Sequence, residues 1–314
     1  MVLPESFLAV PGCVMSEHLF GKLRSVGIAA PASGCDPEKL RAGIKFLEQQ
    51  GLKVIPGKNL FSKGVFSYLS ADDLQRAEDF NSLAENPEVD AILCVRGGYG
   101  TPRILEKINY AVLRQRNLPV IGFSDITALH LAMMSRKAGI CVASQMAVRL
   151  PEAVKCGETF AGIKRVYAVL SGEKTVIPEI GSPMILLNGS DQISGGVIPL
   201  NLTLVSSLCG TDYLPSMQGK IVILEEIGEP VRKIDRMLQQ LYYSNFFKGV
   251  SGVVFAQFSD CGEEQERNAL FREFAQKVSV PVFSGLAYGH DLPSHSFVFN
   301  ELCRIENGRL YSIQ

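Results

Sequence analysis

The sequence predicts an α/β protein in two domains, and three observations carry that expectation. From residue 25 to about 144, short apolar runs alternate with helical patterns, the signature of parallel strands joined by crossover helices. Beyond residue 171 the texture changes: apolar segments at 175–177, 184–187 and 192–197 follow one another with no helix between them, which favours antiparallel pairing. At 314 residues, the chain also exceeds the size at which a single hydrophobic core usually stops growing.

The first strand is expected at 26–30, ending on Pro31. Asp36 suits the cap of the next helix, with Pro37 at its first position, Leu40, Ile44 and Leu47 on one face, and Gly51 as the stop. A strand at 53–55, a helix at 72–84, a strand at 91–95 and a helix opened by Thr101 and Pro102 continue the alternation. Then come a strand at 119–123, a helix at 125–137 and a strand at 140–143. In the second half, helices near 201–208, 231–244 and 263–278 alternate with strands at 220–224, 252–258 and 281–283. The expected division is an extension at 1–24, an α/β domain at 25–170, a linker at 171–180 and a mixed domain at 181–314.

Charge narrows the partners. With 31 basic against 32 acidic residues and a formal charge of −1, nothing favours nucleic acid or an anionic membrane surface. Apolar residues make up 46% of the chain and charged residues 20%, the composition of a folded globular protein. The eight cysteines (Cys13, Cys35, Cys94, Cys141, Cys156, Cys209, Cys261 and Cys303) form no C-x-x-C pair and have no histidine at zinc-ligand spacing. They are expected to be reduced, Cys94 and Cys141 inside buried strands, and neither a metal nor a cofactor is expected. Residues 1–24 lack the basic start and apolar run of a signal peptide, and no window reaches the roughly 18 apolar residues of a membrane span. A cytoplasmic, soluble protein is expected.

In open parallel sheets, ligands collect at the carboxyl ends of the strands, so residues just past each strand carry the functional reading. Ser124 follows the strand at 119–123 and opens a helix, a strand-turn-helix arrangement similar to a nucleophile elbow but without the second glycine of G-x-S-x-G. A plain helix cap explains such a serine equally well. Arg96-Gly97-Gly98-Tyr99-Gly100 follows the strand at 91–95, where glycines permit close approach of backbone to a ligand, either an oxyanion or a phosphate; a tight turn is the plainer alternative. Glu225 ends the strand at 220–224, followed by Glu226 and Glu229; carboxylates there can orient a histidine, cap a helix or simply be solvated. Of the four histidines, His18 lies in the extension, His130 well inside a helix and His295 in an expected strand. His290, in the glycine-flanked loop after 281–283, is the best placed as a base.

Taken in order, these segments resemble the LD-carboxypeptidases and the related microcin-immunity peptidases. The matching blocks are Gly27-Ile-Ala-Ala-Pro-Ala-Ser33, Val95-Arg-Gly-Gly-Tyr-Gly100, Gly122-Phe-Ser-Asp-Ile-Thr127, Leu224-Glu-Glu-Ile-Gly-Glu229 with Ile234-Asp-Arg-Met-Leu238, and Gly285-Leu-Ala-Tyr-Gly-His290. The resemblance implies an N-terminal flavodoxin-like, mostly parallel α/β domain and a C-terminal swivelling β/β/α domain, with the active site between them and a homodimer as the usual assembly. It further implies a triad of Ser124 as nucleophile, His290 as general base and Glu225 as the acid that fixes the imidazole. The backbone N–H groups of Asp125 and of Gly97 or Gly98 would form the oxyanion hole. The substrate implied is a peptidoglycan stem tetrapeptide, a small murein peptide that loses its terminal D-alanine; Arg96, Tyr99 and Asn201 are the expected substrate contacts.

Departures from the family pattern bear on substrate more than on chemistry. Pro199-Leu200-Asn201 stands where Gly-Gly-Asn is usual, Ser144-Gln145-Met146 replaces Ser-Gly-Pro-Met, and the segment after His290 lacks Leu-Pro-x-Gly. Rival readings are a microcin-immunity-like peptidase cleaving an aminoacyl-nucleotide conjugate, a non-catalytic phosphate- or nucleotide-binding protein, and a relative that has kept the fold without turnover. The absence of tryptophan, on which a nucleobase could stack, counts against the first.

Overall fold

The computed structural model describes residues 19–62 and 64–313; most of the expected extension, with Cys13 and His18, lies outside them. The first half alternates β1 (Ser25–Ala29), α1 (Pro37–Gln49), β2 (Lys53–Pro56), α2 (Asp73–Glu85), β3 (Ile92–Cys94), α3 (Tyr110–Arg116), β4 (Pro119–Ile121), α4 (Thr127–Ser135), β5 (Ile140–Ala143), α5 (Leu150–Ala153) and α6 (Gly157–Leu170). Helix α1 starts as its sequence dictates: the Asp36 side chain accepts the Glu38 N–H, Pro37 follows, and Leu40 and Leu47 are buried. Strands β1 to β5 pair in parallel in the order β5-β4-β3-β1-β2, the flavodoxin-like winding.

Past residue 180 come β6 (Ile185–Asn188), β7 (Ile193–Asn201), α7 (Leu202–Ser207), β8 (Lys220–Ile227), α8 (Val231–Tyr243), β9 (Gly252–Ser259), α9 (Glu264–Lys277), β10 (Val282–Ser284), β11 (Phe297–Val298), β12 (Leu302–Glu306) and β13 (Arg309–Ser312). Six of these strands join β10 in a second sheet, ordered β13-β12-β7-β8-β9-β10-β6; β11 does not. It crosses back to the first sheet and pairs antiparallel with β5, Phe297 opposite Ala143 and Val298 opposite Val142. The larger apolar core is continuous across both sheets, running from Phe80, Ile92 and Phe123 to Val197, Ile223 and Phe255. A second cluster under α1 and α6 gathers Ile28, Leu40, Leu93 and Val166 on the other face of the first sheet.

Several elements depart from the pattern read in the sequence. Residues 175–177 form no strand; Ile177 and Ile180 are instead buried from an irregular segment. Strands β6 and β7 do not pair with each other: β6 runs antiparallel to β10, β7 antiparallel to β12 and parallel to β8. The helix expected from Thr101 is a 3₁₀ turn (Thr101–Lys107), and α3 starts afresh where the Asn109 side chain accepts the Val112 N–H. His295 precedes β11 and is not in a strand. Helices α5 and α6 and the hairpin β12–β13 are not among the expected elements. All seven described cysteines are free, and no described helix is long and apolar enough to cross a membrane.

The loops beyond β1 and β3 are pinned from below by Arg76 of α2. Its side chain is buried, pairs with Asp73 at 2.5 Å, and donates to the carbonyls of Pro31, Ala71 (3.2 Å) and Gly100 (3.0 Å). Removing it strands several buried acceptors at once, so Arg76→Met is expected to lower the unfolding free energy by about 3 kcal/mol, read from urea denaturation. Burial also pushes His130 and His295 down to about 4, the nearby Arg165 charge adding to the effect on His295. Both imidazoles stay neutral in the fold but take protons when unfolded. Stability is therefore full above the ordinary histidine value of 6.5 and declines as pH falls toward 4. A urea midpoint that stays constant between about pH 7.5 and about pH 5 would contradict this.

Candidate active site

Five loops meet around one cavity: those after β1, β3, β4 and β5, and the one between β10 and β11. Ser124 closes the turn after β4 with φ +60°, a left-handed conformation that costs a non-glycine residue about 1 kcal/mol or more. Extended Phe123 leads into it, and a short 3₁₀ turn (Ser124–Ile126) carries the chain into α4. The turn needs a bare backbone on either side. A β-carbon on Gly122 would lie 2.9 Å from Ile126, and one on Gly97 would lie 2.9 Å from Ser124 Oγ and 3.2 Å from the Asp125 nitrogen. Gly122 thus makes room for Ile126, which stands where the second glycine of the elbow is missing, and Gly97 makes room for the Ser124 side chain.

The Arg96–Gly100 segment is fixed by Ser33, whose N–H donates to Gly97 O (3.4 Å) and whose hydroxyl accepts the Tyr99 N–H (3.0 Å). Gly98 adopts φ +101°, and a β-carbon there would collide with Ser33 Oγ at 2.4 Å.

Glu225 sits at the carboxyl end of β8 with no exposed surface. Its Oε2 lies 2.8 Å from His290 Nδ1, and its Oε1 accepts from Asn201 Nδ2 at 3.1 Å. The same Nδ2 donates to Glu226 Oε1 at 3.0 Å. Two consecutive strand residues can face one amide because the β8–β9 register shifts between Leu224 and Glu226, a bulge that re-aims the side chains. Glu226 is further held by the Thr203 N–H and hydroxyl (2.8 and 2.7 Å) and the Ile227 N–H (2.9 Å). Burial pushes its carboxyl above the ordinary range, opposed by the Thr203 bond. The His290 ring packs against Phe123 at a tilt of 52°, ring centroids 4.9 Å apart. Gln257 of β9 grips the histidine loop, accepting the Asp291 N–H at 3.0 Å and donating to Pro293 O at 2.9 Å.

A cavity of about 670 Å³ opens at this junction, lined by Ser124, His290, Phe123, Arg96, Gly97 and Gly98 together with Cys35, Lys39, Arg149 and Lys155. Lys39, Arg96, Arg149 and Lys155 outnumber the lining carboxylates Asp36 and Glu152, so the wall is cationic. Two expected substrate contacts are placed elsewhere. Tyr99 turns away to pack on Tyr68, ring centroids 5.8 Å apart, and does not line the cavity. Asn201 is buried behind the site: its Oδ1 caps α7 through the Leu204 N–H, and its Nδ2 is occupied by the two glutamates. The Asp125 side chain is also buried, accepting the Thr101 N–H at 2.8 Å, and burial pushes its carboxyl up. Arg149 and Gln257 were not among the residues singled out in the sequence, where nothing in their local spacing marks them. Among the described residues, no three His, Cys, Asp or Glu side chains cluster as a metal site.

The residues match the description of the LD-carboxypeptidase N-terminal domain over 26–144 and of the C-terminal domain over 194–305. The chain belongs to the LD-carboxypeptidase family. It is 31% identical to a probable murein peptide carboxypeptidase of Bacillus subtilis, over 86% of this chain and 85% of that one. It is 28% identical to the murein tetrapeptide carboxypeptidase of Pseudomonas aeruginosa, over 91% and 94%. The microcin C7 self-immunity protein of Escherichia coli shares 26% identity over 84% of each chain. Among solved structures, the muramoyltetrapeptide carboxypeptidase of Oxalobacter formigenes superposes with TM-score 0.75 at 22% identity, covering 91% of this chain and 97% of that one. The fold is thus that of the LD-carboxypeptidases, and carboxypeptidase function accompanies membership.

The left-handed turn at Ser124 has a measurable cost. Ser124→Gly is expected to be more stable than Ser124→Ala by about 1 kcal/mol in urea unfolding, because glycine alone accepts φ +60° without strain. Equal stability of the two variants would argue against the strained turn.

Proposed function

We propose that this protein is a serine LD-carboxypeptidase that removes the terminal D-alanine from murein stem tetrapeptides, with Ser124, His290 and Glu225 as its triad. The observation that carries the reading is the 2.8 Å contact of His290 Nδ1 with a fully buried carboxylate, on the wall of a cavity that Ser124 shares. With Nδ1–H donated to Glu225, Nε2 is left as the basic nitrogen. Ser124 Oγ attacks the carbonyl before the terminal residue while Nε2 takes its proton. The oxyanion forms against the N–H groups of Asp125 and of Gly97 or Gly98, each such donor being worth on the order of 10² in rate. Collapse breaks the C–N bond, His290 hands the proton to the departing amine, and water then releases the acyl group by the reverse sequence.

With Arg149 engaged by the His290 carbonyl, the other cations of the wall, Lys39, Arg96 and Lys155, suit a peptide that ends in a free carboxylate, Arg96 being the one nearest Gly97 in sequence. In this reading the domains at 25–170 and 181–314, joined through 171–180, contribute nucleophile and base respectively, and the enzyme works as a cytoplasmic homodimer on recycled murein. Similarity to the microcin C7 self-immunity protein favours one second reading, cleavage of an aminoacyl-nucleotide conjugate.

Incubating the protein with muropeptide tri-, tetra- and pentapeptides, followed by mass spectrometry, is expected to show loss of one alanine from the tetrapeptide alone. Turnover of an aminoacyl-sulfamoyl nucleoside in place of all three would favour the second reading. Ser124→Ala and His290→Ala should each abolish hydrolysis with the fold intact, as triad members act together. Glu225→Gln should impair turnover far more than Glu226→Gln; the opposite ranking would move the acid by one residue. Activity should survive EDTA, since every step is carried by side chains and backbone donors.

A further inference from the structure

The hydroxyl and the imidazole reach one cavity from different halves of the chain, so their spacing depends on what holds the halves in register there. We propose that Arg149 is a positioning residue that ties the backbone of His290 to the wall carrying Ser124. The proposal rests on the catalytic roles given above to Ser124 and His290.

Arg149 stands between β5 and α5, at the end of a segment that doubles back over β3. The Ala147 N–H donates to Cys94 O at 3.1 Å, the Val148 N–H to Val95 O at 3.3 Å, and the Arg149 N–H to Met146 O at 2.9 Å. The root of the side chain is therefore fixed on the strand that delivers Arg96 and Gly97. From that root, Nη1 donates to the carbonyl oxygen of His290 at 2.9 Å. The carbonyl carbon is bonded to the α-carbon that bears the imidazole, so holding one holds the other. Gln257 and Ser259 grip the neighbouring Asp291, the latter through a 2.5 Å hydroxyl-carboxylate bond, but both belong to β9 and tie the loop only to its own sheet. Thr159 of α6 also reaches the loop from the first half, accepting the Ser294 N–H at 2.9 Å, but four residues beyond the histidine; Arg149 supplies the cross-junction bond to His290 itself, and a charged donor makes it a strong one.

A plain ion-pair role does not account for the residue. The bond to His290 is the one hydrogen bond that its guanidinium makes among the described residues, and no described carboxylate pairs with it. It is half-buried on the cavity wall, where glutamine is too short to span the same distance and lysine would offer a rotating ammonium in place of the planar guanidinium.

The test compares Arg149→Gln, Arg149→Lys and Arg149→Ala with the wild type on a murein tetrapeptide, kcat and KM being measured separately and folding checked by urea unfolding. Misplacing a base by a fraction of an ångström to 1 Å lowers kcat, so Arg149→Gln is expected to lose about 10- to 100-fold in kcat. Its KM is expected to stay within about twofold, the pattern of a transition-state effect. Arg149→Lys should recover part of the loss, and guanidinium ion at non-denaturing concentration should partly restore Arg149→Ala. Wild-type kcat in Arg149→Gln, or a raised KM with kcat unchanged, overturns the proposal. Should the glutamine variant unfold, the other two variants decide, and absence of recovery in both overturns it. Failure of the catalytic reading itself shows separately, as full turnover by His290→Ala.

Discussion

A carboxylate without any exposed surface must find its compensation inside the protein, and Glu225 is such a group. Each of its oxygens has one partner, His290 Nδ1 for Oε2 and Asn201 Nδ2 for Oε1. The surrounding architecture follows from this requirement. The bulge in β8 turns Glu225 and Glu226 toward the same amide, and Asn201 is itself fixed as the cap of α7. Gly289 adopts φ +147° beside Glu225, and a β-carbon there would lie 3.4 Å from its Oε2 and collide with Gln257 at 2.9 Å. The histidine loop can close on the acid only because that position is bare.

Much of the fold was legible in the sequence because its signals are local. Asp36-Pro37, the apolar stripe of α1 and the apolar runs of β1, β4 and β5 lie within a few residues of the features they specify. So does the reading of strand ends as the place for chemistry, which brought attention to Arg96, Gly97, Ser124, Glu225 and His290. What escaped were relations over long sequence distances. Nothing near Phe297 announces its pairing with Ala143, and nothing near Arg149 announces His290. Asn201 shows the limit within one residue: its capping role is a local pattern, whereas its hold on two glutamates depends on a parallel register and a bulge. The identity of this residue was visible, its task was not.

The two sheets are joined more closely than a two-domain description suggests. One core passes through both, Asn201 N–H donates to Thr127 Oγ1 on α4, and buried Arg165 pairs with Glu301. Ser144 and Ser296 share a hydroxyl-hydroxyl bond of 2.8 Å beside the β5–β11 pairing. None of these contacts lines the cavity itself, to which α1 contributes Lys39 and Ala42 and α5 Pro151 and Glu152. A site whose geometry depends on both halves thus draws on an interface that is bonded and packed beyond the site as well.

The return of β11 to the first sheet bears on how the chain matures at the ribosome. Until Val298 has cleared the exit tunnel, β5 remains an unpaired border of an otherwise finished layer. Completion of that layer, and of the chamber beside it, is therefore deferred until β6 to β10 of the second sheet have been made, so the nascent polypeptide carries a sticky margin but no assembled hydrolase.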